Sequence, residues 1–301
     1  MMSDDNILDS GLFSTPGDKI LLPLMGYPSE HDAMFLALVT AEYFGANLHV
    51  LHITRQSQKT EEYLLQELKW LRKKSKELNV NLEITIKESK LNAADAILKE
   101  ITTLAPRLTI MMSRKKIFFQ RLAGSIAERI ARKSPYSIMI IKSHQKTWVV
   151  DEQHVELKKI VVPMGNNQRC EVSAVQIAIA LANAGKSRDA DITLLHVIIV
   201  PETVPILAND DKILINEEKN FVKQAGMLST MLLFPMNTKV IVGRDIGRSI
   251  SHYLNKEEVD LAIIAVEYIP RRLFGLFGTD TNEIYHKSKC PVAVIFHKEP
   301  C

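Results

Sequence analysis

The chain has little cysteine. Only Cys170, Cys290 and Cys301 occur in 301 residues, far apart and without CxxC spacing. That fits a reducing cytoplasm and argues against a disulfide framework or a zinc site. Long hydrophobic runs are missing too: "LAIIAV" and "MLLFPM" fall far below the roughly 18–20 apolar residues of a membrane span. Neither sign of charge dominates, with 38 Lys and Arg against 35 Asp and Glu for a net +3. Bulk charge alone therefore gives no argument for nucleic acid or an anionic membrane, and no nucleic-acid partner is expected. The opening "MMSDDNILDSGLFSTPGD" lacks the basic and apolar blocks of a signal peptide and reads as a polar, disordered leader or linker over residues 1–18. No HExxH, GxSxG, GxxxxGK[ST] or GxGxxG motif is present, and no general base or metal-carboxylate set stands out, so a non-catalytic role is expected.

What the chain does have is a repeat. "QRLAGSIAERIARKSPYSIMIIK" begins at Gln120, and 154 residues later "FGLFGTDTNEIYHKSKCPVAVIF" follows the same plan. Gly124-Ser125 falls on Gly278-Thr279, and "SIMII" on "PVAVI". Upstream, "DKILLPLMG" matches "KKIVVPMG", with Pro23 on Pro163, and "VLHIT" matches "LLHVI", with His52 on His196. The offset grows from 140 at the proline to 144 at the histidine and 154 at the glycine. The second copy thus carries insertions, mostly between its second and third strands, where "PETVPILANDDK" reads as an extra loop. A period of this size is a duplicated domain, not a solenoid repeat. The expected domains are residues 19–145 and 158–299.

Each half reads as five strands alternating with four helices. "KILLPLM" is a continuous apolar strand stopped by Gly26. Ser29 and Asp32 offer a capping pair for the helix that follows, which ends near Gly45. "TEEYLLQELKWLRKKSKELNV" is a helix with Leu64, Leu68, Leu71 and Leu78 in one stripe, acids early and lysines late. "NAADAILKEITTLAP" is a third helix stopped by Pro106. The fold class is therefore α/β: two tandem, doubly wound parallel sheets with helices on both faces. A ligand belongs beyond the carboxyl ends of the strands, where strand order reverses.

The Gly-Ser and Gly-Thr turns open helices at such strand ends. Glycine lets the backbone approach, and a hydroxyl with helix N–H groups suits a phosphate; the same residues also serve as plain N-caps. Basic residues gather upstream of both turns: Arg114, Lys115, Lys116 and Arg121 in the first half, Arg271 and Arg272 in the second. They fit either a phosphate or a solvated loop tip. The candidate binding residues are Gly124, Ser125, Arg114 and Lys115, with Gly278, Thr279, Arg271 and Arg272. His52 and His196 lack metal-ligand spacing and read as packed strand residues. The edge strands "YSIMIIK" and "PVAVIFHK" would be aggregation-prone if left open, so the two are expected to pair with each other.

The succession "ILLPL…LHVLHI…GSIAERIARKSP…IMIIK", present twice, resembles the universal stress protein family over residues 19–142 and 158–298. The resemblance implies strand order 3-2-1-4-5 in each half and a pseudo-dimer joined through the fifth strands. It also implies ATP binding through an acid after strand one and a G-x2-G-x9-G-[S/T] loop after strand four. Here the chain departs from the pattern: Met111 and Arg114, and Ala265 and Tyr268, stand at the first two glycine positions, and the acid is replaced near Met25 and Met164. Magnesium-ATP is expected to bind weakly or not at all. The ligand stays open among ATP, other adenine nucleotides and cyclic nucleotides. The pattern "P-L/M-x-G" with "RRLFGLFG" also resembles the degenerate stress-protein domains at the cytoplasmic ends of cation/proton antiporters, chloride channels and amino-acid permeases. One reading is a tandem cytoplasmic stress-response module; the alternative is a transporter's regulatory domain on the cytoplasmic face of the membrane. A weak ATPase is a third. A transporter, another protein or a second copy of the chain complete the partners allowed.

Overall fold

The computed structural model describes Leu12 and residues 17–27, 30–54, 62–113, 126–142, 157–165, 168–184, 190–203, 212–267 and 278–298. The first half contains β1 (Lys19–Leu24), α1 (His31–Phe44), β2 (Asn47–Thr54), α2 (Glu62–Glu77), β3 (Leu82–Glu88), α3 (Ala93–Leu104), β4 (Leu108–Ser113), α4 (Ile126–Lys133) and β5 (Ile138–Lys142). The second repeats the order as β6 (Lys159–Pro163), α5 (Gln168–Ala184), β7 (Asp191–Ile199), α6 (Lys212–Met231), β8 (Asn237–Gly243), α7 (Ile246–Lys256), β9 (Leu261–Glu267), α8 (Gly278–Lys287) and β10 (Val292–His297). The insertion between the second and third strands shows partly in helix length: α6 has 20 residues where α2 has 16.

The strands form one sheet in the order β3-β2-β1-β4-β5-β10-β9-β6-β7-β8. Each half is parallel with the order 3-2-1-4-5, and the halves meet where β5 pairs antiparallel with β10. Four residue pairs make this seam, from Ile138 with Phe296 to Ile141 with Ala293. Every residue of both strands is buried. Two apolar edges that would otherwise face water thus remove each other from it. On one face, α1 packs against α5 across the halves, and a single core runs beneath both. A second core lies under α3, α4, α7 and α8.

Local chemistry accounts for most element ends. Gly45 takes the left-handed conformation (φ 61°) that closes α1, and its N–H bonds back into the last turn. Asn92 caps α3 by accepting the Asp95 N–H. That helix ends at Leu104, two residues before Pro106. Leu64, Leu68 and Leu71 are buried along α2 as their spacing requires; Leu78 falls just past the helix but still packs on the core.

Two expectations need correction. The start of α1 is not a capping box: Glu30 stands at the cap position with helical backbone angles and no side-chain cap bond, because its carboxylate is used elsewhere. Ser29 lies outside the described residues. Cys170 is disulfide-bonded, while Cys290 is free and buried. Wide spacing in sequence does not bound distance in the fold.

Candidate functional site

Pro23 and Pro163 determine where a crevice opens. β1 pairs with β4 only through Ile20 and Leu21, and β6 with β9 only through Ile160 and Val161. Beyond those pairs each ladder stops, while pairing to the second strand continues through the proline. A proline has no N–H to offer the ladder. The strands part toward their carboxyl ends at the point where strand order reverses, which is where doubly wound sheets take ligands.

An internal carboxylate ties down the loop at each crevice. In the first half Glu30 accepts the Met25 N–H at 2.8 and 3.0 Å and the Tyr27 N–H at 2.9 Å. Glu30 is buried, and Gly26 takes the positive φ of 84° that lets the loop curl over it. In the second half Glu171, in the first turn of α5, accepts the Gly165 N–H at 2.5 Å. Its other oxygen, Oε2, is buried without a hydrogen bond. Burial pushes the Glu171 carboxyl up to about 7, against the opposing pull of the Gly165 N–H. Glu30 lies seven residues after Pro23 and Glu171 eight after Pro163. This one-residue slip hides the shared role when the halves are aligned on their prolines.

The strand-two histidines brace the same loops. His52 Nδ1 is 2.8 Å from the Leu24 carbonyl, and His196 Nδ1 is 3.0 Å from the Met164 carbonyl. A carbonyl only accepts, so Nδ1 carries the proton in both rings. The His196 ring stacks on Phe221 at 4.9 Å. Both histidines hold backbone in place.

Of the residues expected at the phosphate site, Gly278 opens α8 and Thr279 is exposed in its first turn. Gly124, Ser125, Arg114, Lys115, Arg271 and Arg272 lie outside the described residues, as do Lys116, Arg121 and Tyr268. Met111 is buried in the core beneath α3 and α4, and Ala265 in the opposite core. Among the described residues no group of three His, Cys, Asp or Glu side chains is placed to hold a metal ion.

Side chains also cross between the halves at the carboxyl ends of β4 and β5. Lys142, at the end of β5, is buried and donates to the Ser288 carbonyl just past α8 at 2.7 Å. Its ammonium also lies 5.9 Å from the centre of the Tyr285 ring, whose hydroxyl is hydrogen-bonded to Ser113 at the end of β4. Reciprocally, Lys298 beyond β10 donates to the Ala131 carbonyl of α4 at 2.5 Å. Each fifth strand thus directs a cation to the carboxyl end of the other half's last helix, where the helix dipole favours it. Neither contact had a sequence signal, because the partners are 146 and 167 residues apart.

The sequence profile described as the Universal stress protein family matches residues 17–142 and 156–295. No curated protein matches the chain. Among solved structures, a universal stress protein from Archaeoglobus fulgidus DSM 4304 is 13% identical with a TM-score of 0.56; the match covers 93% of this chain and 98% of that one. A putative universal stress protein from Pseudomonas aeruginosa UCBPP-PA14 is 14% identical with a TM-score of 0.59, covering 93% and 94%. The cytoplasmic domain of a prokaryotic cation chloride cotransporter is 15% identical with a TM-score of 0.55, covering 94% and 96%. No described helix is long and apolar enough to cross a membrane.

Proposed function

The chain belongs to the universal stress protein family, and from that premise we propose that it is a regulatory binding module and not an enzyme. The carrying observation is the pair of internal carboxylates. Glu30 and Glu171 occupy the N–H groups of the loops after strand one, the backbone a ligand in that crevice would otherwise approach. A module whose loops are already tied down suits a sensing or docking role better than turnover. The ligand in this reading carries phosphate and is an adenine or cyclic nucleotide. Its anion is assigned to Ser125 with Arg114 or Lys115, or to Thr279 with Arg271 or Arg272, where a hydroxyl, cations and the N–H groups of a helix start favour negative charge. Thermal-shift titration with adenine and cyclic nucleotides, on the wild-type chain and on Ser125→Ala and Thr279→Ala, tests it. Stabilisation lost in one variant supports the assignment; stabilisation undiminished in both, or none with any nucleotide, overturns it. Magnesium-ATP is expected to bind more weakly than micromolar, that is with less than about 8 kcal/mol, and calorimetry measures this.

The second reading is a cytoplasmic regulatory domain of a membrane transporter. It is supported by the cotransporter domain, whose likeness runs through both halves and spans nearly the whole of each chain. Reading the encoding gene ahead of residue 1 tests it: a series of segments, each of about 20 apolar residues, supports this reading, and their absence removes it.

A further inference from the structure

We propose that the groove between β8 and α7, at the outer edge of the second half, binds an extended acidic peptide that adds to β8 as an eleventh strand. The groove has a volume of about 680 Å³ and lies two strands away from the β6–β9 crevice. Lys239 and Ile241 of β8 line it together with Arg248, His252, Tyr253 and Lys256 of α7. Lys239, His252 and Lys256 are exposed and make no hydrogen bond or ion pair with a described residue. Arg248 pairs with Glu283 at 3.3 Å yet stays 74% exposed. Three acids also touch the groove. Asp245 is used as the N-cap of α7, Glu257 stands at its C-cap, and Glu202 follows β7. The cations along the middle are left to face an incoming chain.

The first half supplies the comparison. His52 is in register with Ile86 of β3, and His196 with Val240 of β8; Asn92 and Asp245 are the matching helix caps. With those anchors Lys87 corresponds to Ile241, Glu100 to Tyr253, Thr85 to Lys239, Lys99 to His252 and Thr103 to Lys256. Lys87 and Glu100 form an ion pair at 2.5 Å that ties β3 to α3 across the equivalent groove. In the second half that tie is replaced by an apolar and aromatic floor, and cations stand where the first half has two threonines. One copy is latched shut by its own charges, while the other presents a floor and unpaired positive charge.

β8 also pairs with β7 alone among the described strands, so its outer backbone groups form an open edge. An added strand satisfies those groups, and its alternate side chains fall on one face. Along the peptide face turned toward α7, apolar residues would lie over Ile241 and Tyr253, and carboxylates two positions away on that same face would reach Lys239 and Lys256.

The test uses the full chain and a fluorescein-labelled peptide matched to the seven residues of β8, Glu-Thr-Val-Thr-Glu-Thr-Val, which sets glutamate and valine by turns on one face and threonine on the other. Fluorescence anisotropy is expected to report binding that weakens as salt is raised. Lys239→Glu with Lys256→Glu is expected to raise Kd by about tenfold or more. Ile241→Lys with Tyr253→Glu, which rebuilds the first half's latch, is expected to do the same. Hydrogen exchange on the wild-type chain should show β8 amides gaining protection with peptide, a result that needs no variant to fold. Failure of the wild type to bind, equal binding of the same peptide with lysine in place of glutamate, unchanged Kd in both variants, or no added protection in β8 would each overturn the proposal. So would binding of phosphatidylglycerol vesicles through the same lysines in place of the peptide.

Discussion

Replacing Glu171 by glutamine should remove a pH dependence from the stability of the second half. Glu171 is 6% exposed, and burial moves its midpoint from 4.5 to about 7 in the folded chain. Below 4.5 both folded and unfolded chains hold the proton, and the buried group is neutral. As pH rises from 4.5 toward 7 the unfolded chain loses the proton first, so stability falls. Above about 7 the folded chain ionises as well and the full difference remains. At about 1.4 kcal/mol per tenfold in proton affinity, the difference comes to about 3 kcal/mol. Glutamine keeps an acceptor for the Gly165 N–H and never ionises. Urea unfolding at about pH 5 and about pH 8 should therefore find Glu171→Gln gaining about 2–3 kcal/mol on the wild type between the two, since part of the loss is already present at pH 5. Parallel profiles would refute the reasoning, since they would mean that Glu171 titrates alike in both states and its surroundings are wetter than the fold implies.

Two further substitutions probe the frame around the crevices. Lys142→Met leaves the Ser288 carbonyl without its cross-half donor and should cost about 1–3 kcal/mol in urea unfolding; no loss would mean that the seam strands alone hold the halves together. Gly247→Ala places a Cβ 2.8 Å from the Asp280 carbonyl oxygen and 3.0 Å from the Asp280 Cα. Overpacking of α8 on α7 should exceed the helix-propensity gain, for a net loss of about 1–2 kcal/mol by thermal or urea unfolding.

The frame was legible because it rests on periodicity and repetition. The apolar runs of β1 and β6, the glycine at the end of α1, the leucine stripe of α2 and the pairing of "SIMIIK" with "VAVIFH" all follow from patterns within one strand or helix, or from the need to bury an apolar edge. The loops after strand one were not legible. Glu30 and Glu171 each reach back to a backbone N–H, an interaction with no spacing rule, and the slip of one residue between the halves masks their likeness. The cross-half lysines had no sequence signal for the reason already given: strand order, not sequence spacing, brings their partners together. The glycines missing from the ATP loop were visible, and so was the loss of the acid after strand one; that another acid ties down the same loop from inside was not.

The arrangement also indicates why two copies stay in one chain while their loops diverge. β5 and β10 are buried only by each other on the seam side, so neither half can lose its partner without exposing a row of isoleucine, valine and phenylalanine. Joining the copies makes that pairing intramolecular, with a high effective concentration. No such constraint acts on the outer edges. β3 and β8 lie at opposite ends of the sheet, and a change beside one has no counterpart to satisfy at the other. An ion pair could therefore latch the groove beside β3 while the groove beside β8 became basic and open, with the seam unchanged. Duplication here holds the scaffold fixed at the centre and leaves chemistry free to differ at the rims, which is where differences between the halves should be sought by experiment.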